Sequence, residues 1–209
     1  SLNRPRAAAA DTRSSDSNFI DMSPSIEIEG PGRGAAPLPD GSVRWTVWAP
    51  RSTRVDLVLM GPDGRAERPM VPLDRGYFTH TEPDVADGQR YLYRLDTGKE
   101  RPDPESRWQP DGVCGPSAVF RPGRHRWADR GWAGVQREDL VVYELHVGTF
   151  TPEGTLDAVV PRLQELKRLG ITAIEIMPVG QFPGGRNWGY DGVYPSAVQN
   201  TYGGPDALQ

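Results

Sequence analysis

The sequence predicts a multi-domain chain, with an immunoglobulin-like all-β sandwich followed by the first β-α-β portion of a parallel α/β barrel. Three observations predict it. Short runs of alternating apolar and polar residues recur between residues 42 and 120, and turn-forming residues bound them. Two nearly continuous apolar runs, Leu140 to Val147 and Ile171 to Pro178, enclose a stretch whose apolar residues have helical spacing. The 24 glycines and 21 prolines among 209 residues make loops and turns abundant.

Bulk properties narrow the function. At roughly 150 residues per domain, the length allows one or two domains. The net charge is -4 and the basic residues are scattered, so there is no electrostatic footprint for nucleic acid and no polybasic membrane anchor. A neutral or small ligand is expected. Cys114 is alone, which rules out an intrachain disulfide and a cysteine metal cluster; it reads as a small, semi-buried residue without a chemical role, and a reducing compartment fits. The four alanines 7 to 10 are too short for a signal-peptide core, and no apolar run approaches membrane-spanning length. These features predict a soluble, cytoplasmic protein.

Residues 1 to 40 lack hydrophobic periodicity and are read as a disordered tail, with Met22 as a candidate start of a shorter chain. The sandwich is placed at 41–121. Val43, Trp45 and Val47 share one strand face, with Arg44, Thr46 and Trp48 on the other. A second run, Arg54 to Met60, aligns Val55, Leu57 and Leu59 and ends at the turn signal Gly61-Pro62-Asp63-Gly64. Further strands are expected at Arg68 to Leu73, Tyr77 to Thr81, Arg90 to Leu95 and Ser117 to Phe120, a spacing typical of a sandwich. Residues 99 to 139 are rich in Pro, Arg and Trp and read as extended, with 122–139 as the connection proper. Trp108 has two readings, filling the joint between domains or binding glycan, and the first is favoured.

The last part, 140–209, changes character. Leu140 to Val147 and Ile171 to Pro178 read as strands buried on both faces, joined by a right-handed crossover. Thr155 is the expected N-cap, ahead of an apolar stripe of Leu156, Val159, Val160, Leu163 and Leu166 opposite Arg162, Gln164, Glu165 and Arg168. Pro161 conflicts with one continuous helix and fits best in the first turn of a helix starting near Val160. Gly170 closes it. No helix is expected again until Gly204-Pro205-Asp206.

A connection that long invites a functional reading. It follows a strand, where the active-site loops of parallel barrels lie, and it places Phe182, Trp188, Tyr190, Tyr194 and Tyr202 among Arg186, Asn187, Asp191, Gln199 and Asn200. Aromatic faces pair with the C–H faces of sugars, while amides, guanidinium and carboxylates take the hydroxyls. The competing reading is that these aromatics pack the loop onto the barrel, and spacing alone leaves both open.

Val142-Tyr143-Glu144-Leu145-His146-Val147-Gly148-Thr149-Phe150, Leu169 to Val179, and Asn187-Trp188-Gly189-Tyr190-Asp191-Gly192-Val193-Tyr194 resemble the opening of the (β/α)8 TIM barrel in the α-amylase superfamily of glycoside hydrolases. Gln199 to Pro205 is most similar to the trehalohydrolase branch, and Val47 to Pro50 and Arg101 to Val113 are similar to its sandwich and connecting segment. The resemblance implies a maltooligosyltrehalose or related α-glucan substrate. It further implies that Tyr190 is the sugar platform and that Trp188, Asn187 and Asp191 are substrate-binding. A fragment of a branching or debranching enzyme is the nearest alternative within the superfamily, and a non-catalytic glycan-binding protein the nearest outside it.

The resemblance places the catalytic carboxylates after later strands, and none of those motifs occurs here, so the chain is expected to carry no catalytic residue and to be inactive alone. Residues 140–209 supply about a quarter of the ~250 residues of a complete barrel. Glu144 and Glu175 lie within strands and are read as structural, hydrogen-bonded groups, and His146 as a satisfied strand histidine. No metal or cofactor is implied. The first βα turn, Gly148 to Gly154, lacks the Gly-Lys-Ser/Thr ending that would hold a nucleotide phosphate.

Overall fold

The computed structural model describes residues 32–62 and 64–209. The tail up to residue 31, the alternative start at Met22 and Asp63 of the predicted turn lie outside the described residues.

The first part is a sandwich of two antiparallel sheets. Its strands are β1 (Gly34–Pro37), β2 (Val43–Trp48), β3 (Val55–Gly61), β4 (Gly64–Pro69), β5 (Val71–Pro72), β6 (Tyr77–Glu82), β7 (Arg90–Leu95), β8 (Glu100–Arg101) and β9 (Ser117–Ala118). One sheet runs β1-β2-β6-β5; the other runs β4-β3-β7-β8, with β9 also on β7. The alternation in β2 works as the pattern requires: Val43, Trp45 and Val47 point inward to meet Val55, Leu57 and Leu59 of β3, Phe78 of β6, and Tyr91 and Tyr93 of β7. Each such aliphatic burial stabilises by about 1.5–3 kcal/mol. Trp45 is fully buried and meets Tyr91 edge to face at 5.7 Å. The turn signal at 61–64 closes the β3–β4 hairpin, with Gly61 opposite Gly64.

Three expectations for the course of the chain in this part need correction. Residues 34–37 are not tail: they form β1, pairing Gly34 with Thr46 through to Pro37 with Val43. The strand expected at 68–73 is two strands, β4 and β5, on different sheets. The stretch from 99 is not extended up to residue 139. β8 and β9 join the second sheet, and between them Asp103, Ser106 and Gln109 are buried polar residues.

Asp103 explains that fold-back. Its carboxylate accepts from the Tyr91 hydroxyl at 2.7 Å, the Tyr93 hydroxyl at 3.3 Å and the Glu105 backbone N–H at 2.9 Å. Its own N–H donates to Ser117 Oγ at 2.9 Å, and that hydroxyl donates in turn to Gln109 Oε1. A buried polar group must find partners, so these bonds bind the proline-rich segment to β7 and β9. Cys114, in the same segment, is exposed rather than semi-buried.

The second part opens with β10 (Val142–Leu145) and α1 (Val147–Phe150), and continues through α2 (Leu156–Val159), a 3-10 turn over Val160–Arg162 and α3 (Leu163–Arg168) to β11 (Ala173–Ile176). β10 and β11 pair in parallel, so residues 142–176 make the expected β-α-β unit. Thr155 caps α2: its Oγ1 accepts from the Ala158 N–H at 3.3 Å. Pro161 sits in the 3-10 turn, whose tighter path tolerates the missing donor and divides the helix in two. Gly170, at φ +91°, ends α3.

Leu156, Val159 and Leu166 are buried as the stripe requires, but Val160 is exposed because the 3-10 turn rotates it off that face. The two strands are not buried on both faces. Val142 and Tyr143, on opposite faces of β10, are both exposed, as are Ile174 and Ile176 of β11, in a sheet of only two strands.

The connection predicted to lack regular structure contains a β-hairpin, β12 (Gly180–Gln181) with β13 (Tyr194–Val198), then a 3-10 turn over Asn200–Tyr202 and α4 (Gly204–Leu208). Leu145, Val147, Leu156, Val159, Phe182, Val198 and Tyr202 form the core here. Trp108 fills the joint: its ring meets Phe120 at 6.4 Å and the Arg90 guanidinium at 5.7 Å, and a Cβ added at Gly88 or Gly204 would lie 3.5 Å from it. Asn200 Nδ2 donates to the Pro110 carbonyl and the Tyr194 hydroxyl to that of Val113, adding polar ties across the same joint. No helix among the described residues is long and apolar enough to cross a membrane.

Candidate functional site

The site forms at the C-terminal ends of β10 and β11, where the chain leaves each strand. Asn187 organises it. Its Oδ1 accepts from the backbone N–H groups of Gly189 at 2.6 Å, Tyr190 at 3.1 Å and Asp191 at 3.5 Å, while its Nδ2 donates to Asp191 Oδ2 at 2.7 Å. Asparagine suits this because one short side chain carries both acceptor and donor. Gly189 closes the turn at φ +97°, and a Cβ there would lie 2.6 Å from the Pro178 carbonyl. Only glycine lets the turn rest this closely on the segment leaving β11.

The turn presents two rings to solvent, Trp188 at 77% and Tyr190 at 74% exposure. The other loop aromatics behave differently: Phe182, Tyr194 and Tyr202 are buried. Packing therefore accounts for those three and not for Trp188 or Tyr190. Gln199, also buried, accepts from the Phe182 N–H and donates to the Gly184 carbonyl, and Asn200 pairs with Gln181, so these two amides hold the loop. Of the four residues expected to bind substrate, Asn187, Trp188, Tyr190 and Asp191, all share this one turn.

His146 was not visible as part of the site. It is not within the strand, which ends at Leu145; it lies just beyond, before α1. Its Nε2 is 2.5 Å from the Asn187 carbonyl and 3.3 Å from the Tyr202 hydroxyl, and its Nδ1 is 3.0 Å from Thr149 Oγ1. Burial raises the Tyr202 hydroxyl above its ordinary range, against a hydrogen bond from the Gly148 N–H. A histidine directly after a strand end is the signal that sequence reasoning had available.

Glu144 and Glu175 stand opposite each other in the parallel ladder, and both are exposed. The structural, hydrogen-bonded role expected of them is not what the fold gives: both carboxylates lie open to water, and solvent screens their like charge. Among the described residues, no group of three or more His, Cys, Asp or Glu is placed to hold a metal ion.

Residues 33–111 match the family model of carbohydrate-binding module 48, the isoamylase N-terminal domain. Malto-oligosyltrehalose trehalohydrolase of Saccharolobus solfataricus is 50% identical over 172 residues, covering 82% of this chain and 30% of that protein. Its namesake from Rhizobium sp. (strain M-11) is 46% identical over 183 residues, 86% of this chain and 30% of that one. The crystal structure of a Salmonella typhimurium protein described as an alpha amylase matches with a TM-score of 0.80 and 42% identity, covering 86% of this chain and 30% of that chain. A sandwich of this module type followed by short β/α elements defines the N-terminal region of an α-amylase-family protein. The chain matches the N-terminal part of malto-oligosyltrehalose trehalohydrolases and spans about 30% of the length of these relatives.

Proposed function

We propose that the protein to which this chain belongs hydrolyses an α-glucan, releasing trehalose from maltooligosyltrehalose by cleaving the adjacent α-1,4-glucosidic bond, and that this chain supplies an aromatic platform for the sugar. The observation that carries this is the Asn187 turn, which holds Trp188 and Tyr190 open to solvent at the strand ends. β10 and β11 are read as the first two strands of a (β/α)8 barrel, whose active site lies on that face. Tyr190 stacks on a sugar ring, Trp188 extends the apolar surface, and Asp191 and Asn187 take hydroxyls at its edge. Bond cleavage in a retaining glycosidase needs a nucleophilic and a proton-donating carboxylate about 5 Å apart. In this reading those groups come from elsewhere in the protein, so the chain alone binds glycan without turnover.

The test compares the 209-residue chain with its Tyr190→Ala variant, measuring maltotetraose affinity and trehalose release from maltooligosyltrehalose. Expected are saturable binding, weakened about tenfold in the variant, a loss of about 1.4 kcal/mol, and no trehalose from either. Binding that is indifferent to Tyr190→Ala overturns the platform, and trehalose release by the chain alone overturns the division of labour. The match of residues 33–111 to a carbohydrate-binding module favours one second reading, glycan binding by the sandwich alone; binding that survives Tyr190→Ala would support it.

A further inference from the structure

We infer that His146 is a positioning residue for Trp188 and Tyr190, a role that rests on reading their turn as a glycan platform. A carbonyl oxygen only accepts hydrogen bonds, so the 2.5 Å contact between His146 Nε2 and the Asn187 carbonyl places the ring proton on Nε2. In the neutral ring Nδ1 then carries a lone pair, and the Thr149 hydroxyl, 3.0 Å away, donates to it. The Asn187 carbonyl, which can only accept, fixes this tautomer, and the Thr149 hydroxyl holds the opposite side of the ring.

The ring is confined on its other sides. Tyr202 meets it edge to face, with centroids 6.2 Å apart and planes at 89°. A Cβ at Gly148 would come within 3.0 Å of both His146 Cε1 and the Tyr202 ring, so the backbone closes against both. Asn187 is therefore gripped twice: its carbonyl is held by His146 from the end of β10, and its side chain holds the amides of Gly189 and Tyr190. The contact spans 41 residues of sequence and ties the turn to the strand that precedes the helices. Where the two rings stand depends on that tie.

The full chain tests this with three variants. H146F fills the ring volume without a donor, H146Q keeps a donor at the Nε2 position, and T149V removes the hydroxyl that holds the ring at Nδ1. H146F is expected to speed amide exchange at Gly189 and Tyr190 by about tenfold, leaving the β3 and β7 amides unchanged, and to weaken maltotetraose binding about tenfold. H146Q is expected to restore both to within about threefold of wild type, a rescue that simple space-filling would not give. The 15N signals of His146 should show the Nε2–H tautomer in wild type and in T149V, because the Asn187 carbonyl fixes it in both. Should H146F not fold, T149V carries the test, with an expected increase of about threefold in exchange at the same two amides.

Unchanged exchange in H146F, H146Q no better than H146F, or a wild-type ring protonated on Nδ1 alone would each overturn the inference. Faster exchange in H146F together with maltotetraose binding indifferent to Tyr190→Ala supports the hold of His146 on the turn and removes the platform reading instead.

Discussion

The hydroxyl of Tyr91 donates to the Asp103 carboxylate at 2.7 Å inside the sandwich, where burial pushes the carboxyl up from 3.8 to about 6 despite that bond and those from Tyr93 and Glu105. Between pH 4 and 6 the folded chain therefore holds a proton here that the unfolded chain has lost. The sign follows from linkage: this contribution is full below the unfolded value and is lost as pH rises through about 6, a change on the order of 2–3 kcal/mol. Denaturant melts of wild type and Asp103→Asn at pH 4 and pH 7 isolate it. Wild type is expected to lose stability relative to the variant as pH rises; a constant difference would show that Asp103 ionises alike in both states.

Gly189→Ala is expected to displace the turn. The substitution meets the Pro178 carbonyl at 2.6 Å in a left-handed backbone, a strain of about 1–3 kcal/mol. Because Trp188 and Tyr190 are already exposed, the melting temperature of the sandwich should not move. The loss should appear in the Trp188 emission and in maltotetraose affinity.

Trp108→Ala is expected to destabilise the chain by about 3 kcal/mol, since the ring meets Phe120, Arg90 and both Gly88 and Gly204. Calorimetry checks this. A variant that melts with wild type would mean that the joint contributes nothing to the transition.

The β10 and β11 amides are expected to exchange faster than those of β3 and β7. Val142, Tyr143, Ile174 and Ile176 are exposed in a two-stranded sheet, whereas β3 has a partner on each side and a buried face. Hydrogen exchange with mass spectrometry reads the difference, and equal protection would remove the expectation.

The parts of this fold that were legible in the sequence are those where local pattern and tertiary context agree. Val43, Trp45 and Val47 alternate and lie inward; Thr155 caps; Pro161 marks where the helix divides. The parts that were not legible depend on distant partners. Gly34-Ala35-Ala36-Pro37 has little strand propensity and becomes β1 only because β2 offers an edge. Asp103 looks like any residue of a proline-rich linker until Tyr91, Tyr93 and Ser117 come around it. β13 contains Pro195, which argues against a strand, and its partner β12 is two residues long. At the candidate site, the exposed Trp188 and Tyr190 and the buried Tyr194 and Tyr202 have similar composition, and only their packing separates them. His146 was not legible as part of the site for the related reason that its contact with Asn187 lies 41 residues away.

The Asn187 turn is written in Asn187 and Gly189, whereas the rings at 188 and 190 take no part in holding its shape through their side chains. The turn thus works as a socket: what is displayed can be exchanged without rebuilding what displays it. Substitutions at the two exposed positions are expected to leave the backbone of the turn in place, while substitutions of Asn187 or Gly189 beneath them are expected to move it.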